Sequence, residues 1–185
     1  MKTIRKVVVL LLFIVLIALL AILVRIYLDI RDAKAYVNFV TDSANTLIIR
    51  VENVNKLLNE FDTDNAESSK ELMENELSSI NAENNEIKRK RTEEVRKPYK
   101  GENLDQSFSE YLGRIEDLSL ALTDLTTTMG SDEDSEVFEE KLETYVNESN
   151  ELQKESDELE QELNNFVDIY NKIDLERVKD AITSI

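Results

Sequence analysis

The stretch IYLDIRDAKAYVNFVTDSANTLIIRVENVNKLLNEF, residues 26–61, decides the fold. In alternating steps of four and three its apolar positions are Ile26, Ile30, Ala33, Val37, Val40, Ala44, Leu47, Val51, Val54, Leu58 and Phe61. That repeat puts one apolar seam on a helix, and no Pro or Gly interrupts it. Two partners suit such a seam: a second copy of the chain in a homo-oligomeric coiled coil, or other helices of the same chain.

Upstream, the pattern runs directly into Val7–Val24, eighteen apolar residues closed by Arg25. At about 1.5 Å per residue the run extends about 27 Å, close to the roughly 30 Å of a hydrocarbon core. A cleaved signal peptide would have a shorter apolar region and small residues before the cleavage point, whereas Leu19 stands at −3 of the best candidate. Residues 7–25 therefore read as an uncleaved signal anchor, with residues 1–6 as a short cytoplasmic tail. Lys2, Arg5 and Lys6 face Arg25, Arg31 and Lys34 across the run, so the positive-inside bias is nearly balanced. The tail is placed inside and residues 26–185 outside, a single-pass cell-membrane protein with the bulk of its chain extracytoplasmic.

Downstream, three further seams follow. Asp62-Thr63-Asp64-Asn65 favours a turn, and Asp64 with Glu67 has capping-box spacing. A second helix over about 66–96 carries Met73, Leu77, Ile80, Asn84, Ile87 and Arg91, its two polar members pointing to a thinner core or a register-setting contact. Pro98 and Gly101 bracket a loop. The third helix, about 104–129, repeats Leu104, Phe108, Tyr111, Ile115, Leu118, Leu122, Leu125 and Met129, with Gly130 at its end. The fourth, about 133–185, runs from Phe138 through Leu142, Tyr145, Ser149, Leu152, Ser156, Leu159, Leu163, Phe166 and Tyr170 to Ile173, where the step changes near Asp174. At roughly 80 Å it exceeds the bundle, so it must kink, follow the surface or overhang. Short loops make neighbours antiparallel. The expectation is all-α: an N-terminal transmembrane helix continuing into an antiparallel four-helix bundle, or coiled-coil domain, over 26–185. In that layout the other three helices are the better partner for the first seam.

Composition narrows function by exclusion. Three Gly and one Pro in 185 residues argue against turn-rich β architectures. With no Cys and no His, disulfides, thiolate zinc sites, cysteine nucleophiles and imidazole acid–base chemistry are ruled out. The net charge of −17 is concentrated, since residues 101–164 carry three basic and twenty acidic side chains, which repels nucleic acid.

Few motifs carry chemistry. Asp132, Asp134, Glu136, Glu140 and Glu143 fall at calcium-loop offsets, but Val137 occupies the glycine position, so the run reads as helix-capping acids. Glu pairs such as Glu139/Glu143 and Glu155/Glu158 lie off the apolar seam and lack the His of di-metal bundles. Asn147-Glu148-Ser149 matches a glycosylation sequon by chance in an Asn-rich chain. No cofactor, metal or catalytic residue is expected, and the chain reads as non-enzymatic.

One basic cluster remains: Lys88, Arg89, Lys90 and Arg91, with Arg96, Lys97, Tyr99 and Lys100. Its bland reading is a solvated helix face. The layout returns it to the membrane-proximal end, where it could touch anionic headgroups or an acidic partner at about 1 kcal/mol per residue. Ile173–Ile185 reads as the end of the bundle, with an interfacial or docking tail as its alternative.

The layout of tail, span and helical domain resembles LemA-type membrane proteins and chemoreceptor four-helix sensor domains, without a LemA-type sequence block or the receptors' second span. That resemblance is architectural and implies no activity. The functional expectation is a membrane-anchored interaction protein, serving as scaffold, adaptor or accessory subunit of a bacterial cell-envelope complex and meeting the bilayer and a protein partner. The alternative is an extracytoplasmic ligand- or stress-sensing bundle acting through a partner.

Overall fold

The computed structural model describes the backbone of residues 2–62, 65–129 and 135–183, and side chains at 13, 15–62, 65–129 and 135–171. Asp64 of the capping-box pair, the acids at 132 and 134, and the side chains of the C-terminal segment from residue 172 lie outside the described residues. Among the described residues the chain is all-helical, with four helices: α1 (Lys2–Asn59), α2 (Ala66–Glu93), α3 (Glu102–Thr128) and α4 (Ser135–Thr183).

The helices form a ring in chain order, with α1 against α2 and α4, and α3 against α2 and α4. Cross-helix bonds fix the directions. Tyr170 on α4 donates to the Asp29 carbonyl on α1 at 3.1 Å, and Tyr145 donates to Asn55 Oδ1 at 2.5 Å. Late residues of α4 thus sit beside early residues of α1. Arg50 meets Glu76 and Glu83 across α1 and α2, and Lys141 of α4 meets Asp124 of α3. Each helix is antiparallel to its neighbours.

Burial is unequal, and the centre of the core is α3 rather than α1. Of the twelve largest fully buried side chains described, eight are on α3, including Leu104, Phe108, Tyr111 and Leu122. Every apolar seam position expected on α3 is buried, as are Met73, Leu77, Ile80 and Ile87 on α2. On α1 the buried line is Ile26, Ala33, Tyr36, Val40, Ala44, Leu47 and Val54. Tyr36 takes the place expected of Val37, which is only half-buried beside it. Among its described side chains the acidic α4 buries only Leu152, Leu159 and Phe166 and otherwise lies on α3 as an outer layer.

Arg114 of α3 holds that layer. Its guanidinium lies 3.6 Å from Glu148, 3.6 Å from Glu151 and 3.9 Å from Glu155, so one cation offsets part of the acidity of α4. The fourth helix runs to Thr183 without the possible break near Asp174. Thirteen residues follow Tyr170, about 20 Å of helix beyond the level of Asp29.

Asn84 sets the register of α2 on α3. It is 2% exposed among Leu77, Ile80 and Ile87, and its Nδ2 donates to the Leu112 carbonyl at 2.9 Å, while Oδ1 has no protein partner. An orphaned buried acceptor costs about 1–3 kcal/mol. Asn84→Leu is therefore expected to raise stability by about 1 kcal/mol in chemical denaturation, at the expense of a single α2–α3 register. A loss of 2 kcal/mol or more would show that the bond outweighs the orphaned oxygen.

Candidate functional site at the base of the bundle

The end of the bundle where α1 leaves its apolar run also holds the α2–α3 connection and the start of α3. Asp105, in the first turn of α3, is its centre. Arg91 from the last turn of α2 donates Nε to Asp105 Oδ1 at 2.7 Å and Nη2 to Oδ2 at 2.9 Å, a bidentate pair. A third bond, 3.1 Å long, runs to the Asp105 carbonyl. Lys97 Nζ reaches Oδ2 at 2.5 Å, and the Tyr36 hydroxyl donates to Oδ1 at 2.6 Å. One carboxylate thus joins α1, α2, the connecting loop and α3.

Its electrostatics follow from that shell. Burial pushes the Asp105 carboxyl upward, but hydrogen bonds from Arg91, Lys97 and Tyr36 outweigh it and hold the group at about 2. Burial, then the bond to Asp105, raises the Tyr36 phenol, which keeps its proton. Burial lowers Arg91, yet its pairing with Asp105 leaves it raised.

The connecting loop is tight. Gly101 N–H donates to the Pro98 carbonyl at 3.1 Å, and a Cβ at Gly101 would come within 2.7 Å of Pro98 Cγ. Lys100 takes φ of 61°, and its ammonium lies 5.9 Å from the centre of the Tyr99 ring. Tyr99 itself is 54% exposed.

The basic cluster read from sequence is brought together, and most of it is neutralised within the chain. Lys88 pairs with Glu116 at 2.5 Å and lowers the Glu116 carboxyl. Arg89 pairs with Glu86, Glu93 and Glu94, and Lys90 with Glu86. The bond from Arg89 is the main reason Glu86 falls to about 2. Arg96 meets Asp32 of α1 at 3.1 Å. The cluster is therefore largely a set of ties within α2, and from α2 and the connecting loop to the neighbouring helices. Tyr36, Asp32 and Asp105, the partners that make it so, were not legible as site residues. A tyrosine one step off the seam and an acid in a helix's first turn are ordinary features of helical sequences.

Among the described residues no group of three or more acids is placed to hold a metal ion. Among them, too, no helix is long and apolar enough to cross a membrane; Val7–Leu12 and Ile14 of the expected span lie outside the described side chains. No protein-family model, curated protein or solved structure matches the chain.

Asp105 gives the bundle a defined acid response. Its folded value of about 2 lies below the 3.8 of a free Asp, so its contribution is complete above about pH 4.5 and is lost as pH falls towards 2. Asp105→Asn is expected to lower unfolding stability by about 2 kcal/mol at pH 6 and by much less at pH 2.5. A deficit of equal size at both pH values would contradict this role.

Proposed function

We propose that the protein is a membrane-anchored, non-enzymatic interaction module, a scaffold, adaptor or accessory subunit of a cell-envelope complex, held in the bilayer by the first part of α1. The observation that carries this is the uncovered apolar run. Phe13, Leu16, Ile17, Leu20, Leu23 and Val24 are each about half exposed or more, and the consecutive Val15–Ile17 and Ile22–Val24 cover all sides of the helix. Burying eight such side chains is worth on the order of 10–20 kcal/mol, so the run does not stay in water. A helix apolar on every side matches hydrocarbon rather than one packed face.

The interaction reading rests on the α1–α4 side. Two open crevices lie there, one of about 180 Å³ lined by Ile30, Ala33, Val37, Phe166, Val167 and Tyr170, the other of about 200 Å³ near Ile48, Val51, Leu152 and Ser156. Both are smaller than the roughly 300–1,000 Å³ of small-molecule sites. A larger one of about 370 Å³, between Gln106, Glu110, Glu158 and Glu162, is lined by polar and acidic residues alone. Recognition through helix faces suits these dimensions better than an enclosed ligand.

The chain has no cysteine, which permits single-cysteine labelling in proteoliposomes. Asp157→Cys is expected to react readily with a membrane-impermeant maleimide, and Leu16→Cys at least about tenfold more slowly. Leu16→Cys labelling as fast as Asp157→Cys would overturn anchoring.

A further inference from the structure

The two open crevices between α1 and α4 repeat each other. Ile30, Lys34 and Val37 line the lower one, nearer the apolar run, and eighteen residues later Ile48, Glu52 and Asn55 line the upper one. On α4, Val167 and Tyr170 of the lower crevice stand eighteen residues from Ser149 and Leu152 of the upper. Eighteen residues are five turns, so both crevices open on one face of each helix, about 27 Å apart. A tyrosine of α4 bridges to α1 at each end of this groove, Tyr170 to the Asp29 carbonyl and Tyr145 to Asn55. Between the bridges the seam of α4 carries the small Ser149 and Ser156, which leave the upper crevice unfilled. Ile48 and Val167 on the walls are 36% and 40% exposed.

Charge on the walls is the second observation. Glu160 lies seven residues from Gln153 and seven from Val167, which line the upper and lower crevices, so it stands between them on the same stripe of α4. Glu52 and Glu160 are exposed and form no ion pair among the described residues, and the same holds for Lys34 at the lower end. The groove therefore offers apolar pockets flanked by two unanswered acids and, five turns from Glu52, one unanswered base. A second copy of the chain fits it poorly. Its basic run Lys88–Arg91 is already held by Glu86, Glu93, Glu94, Glu116 and Asp105, and pairing two grooves would set one acidic α4 against another.

We infer that the α1–α4 groove docks an amphipathic helix of a partner protein as a fifth helix, with Lys or Arg on its flanks opposite Glu52 and Glu160. Its apolar anchors fall in two sets eighteen residues apart, because a straight helix laid along the groove presents the same face again after five turns. An acidic residue of the guest meets Lys34. Apolar pockets supply the affinity, and the flanking charges fix which helix docks and in which direction. The inference rests on the interaction-module reading above and is independent of the anchoring.

The probe is a synthetic alanine-based helix of about 28 residues, long enough to span both crevices, with two leucine pairs eighteen residues apart and Lys on its flanks. Its binding to the full chain in detergent is followed by fluorescence anisotropy, with protein-free micelles as the blank. Saturable binding is expected, weakened about tenfold by the double substitution Glu52→Lys and Glu160→Lys, and unchanged by Leu72→Lys on α2. A peptide with its flanking Lys changed to Glu should recover the loss on the double variant. Moving one leucine pair by two residues, about 200° around the helix, should abolish saturable binding. A shifted peptide that binds as tightly, a double variant that binds like the parent, or a loss the Glu peptide does not recover would overturn the inference. A dimer of the chain that Val167→Lys dissociates would assign the groove to a second copy and overturn it too. Benzophenone side chains placed at Ile48 and Val167, and at the exposed Leu72 and Leu120 outside the groove, separate this inference from the reading beneath it. In cells that make the protein, crosslinks are expected at the first two positions. Crosslinks at Leu72 or Leu120 alone refute the groove and leave the interaction module standing, whereas crosslinks at none of the four refute both.

Discussion

The constraint on which the rest depends is the continuity of α1. From Lys2 to Asn59 there is no Pro, no Gly and no break in the helix, so a segment apolar on all sides and a segment with one buried face share a single axis. A helical backbone transmits direction, because each residue's hydrogen bond fixes the next. Whatever surrounds residues 13–24 therefore sets the orientation of the bundle. The change of environment falls at Ile26, the first buried core residue after the exposed run.

Asp105 makes that continuity useful. A helix that runs on beyond its bundle could splay from its neighbours, but Tyr36, Arg91 and Lys97 converge on one carboxylate at the base of the bundle. A buried charge missing its partners is far costlier than a broken surface pair, so α1, α2 and α3 move as a unit there. At the α1–α4 side the contacts are fewer, the crevices are open, and Val167 and Ile169 remain exposed. The bundle is thus firm at its base around three helices and less closed along the fourth.

Much of this was legible in the sequence because it follows from period. The four-three repeats locate the buried faces of α2 and α3 residue by residue, including polar Asn84 and half-buried Arg91, since seam position alone decides burial in a thin bundle. What period could not reveal was rank. Nothing in the spacing says that α3 lies deepest or that α4, with a comparable seam, is an outer layer; its many acids, set against Arg114, are the closest signal. Nor could it show the ties of the basic cluster. Lys88 to Lys100 reads as a binding patch until Glu116, Asp32 and Asp105 arrive from other helices, and those meetings are tertiary.

The claim at the centre of this account is that one rigid helix joins the apolar run to the bundle. A spin-label pair at Leu20→Cys and Ile49→Cys, both on exposed positions of α1, measures it directly in proteoliposomes. An unbroken helix places the two backbones about 44 Å apart, and a single narrow distance distribution near that value is the expected result. A broad distribution, or a maximum shorter by 10 Å or more, would place a hinge between the apolar run and the bundle and contradict the account.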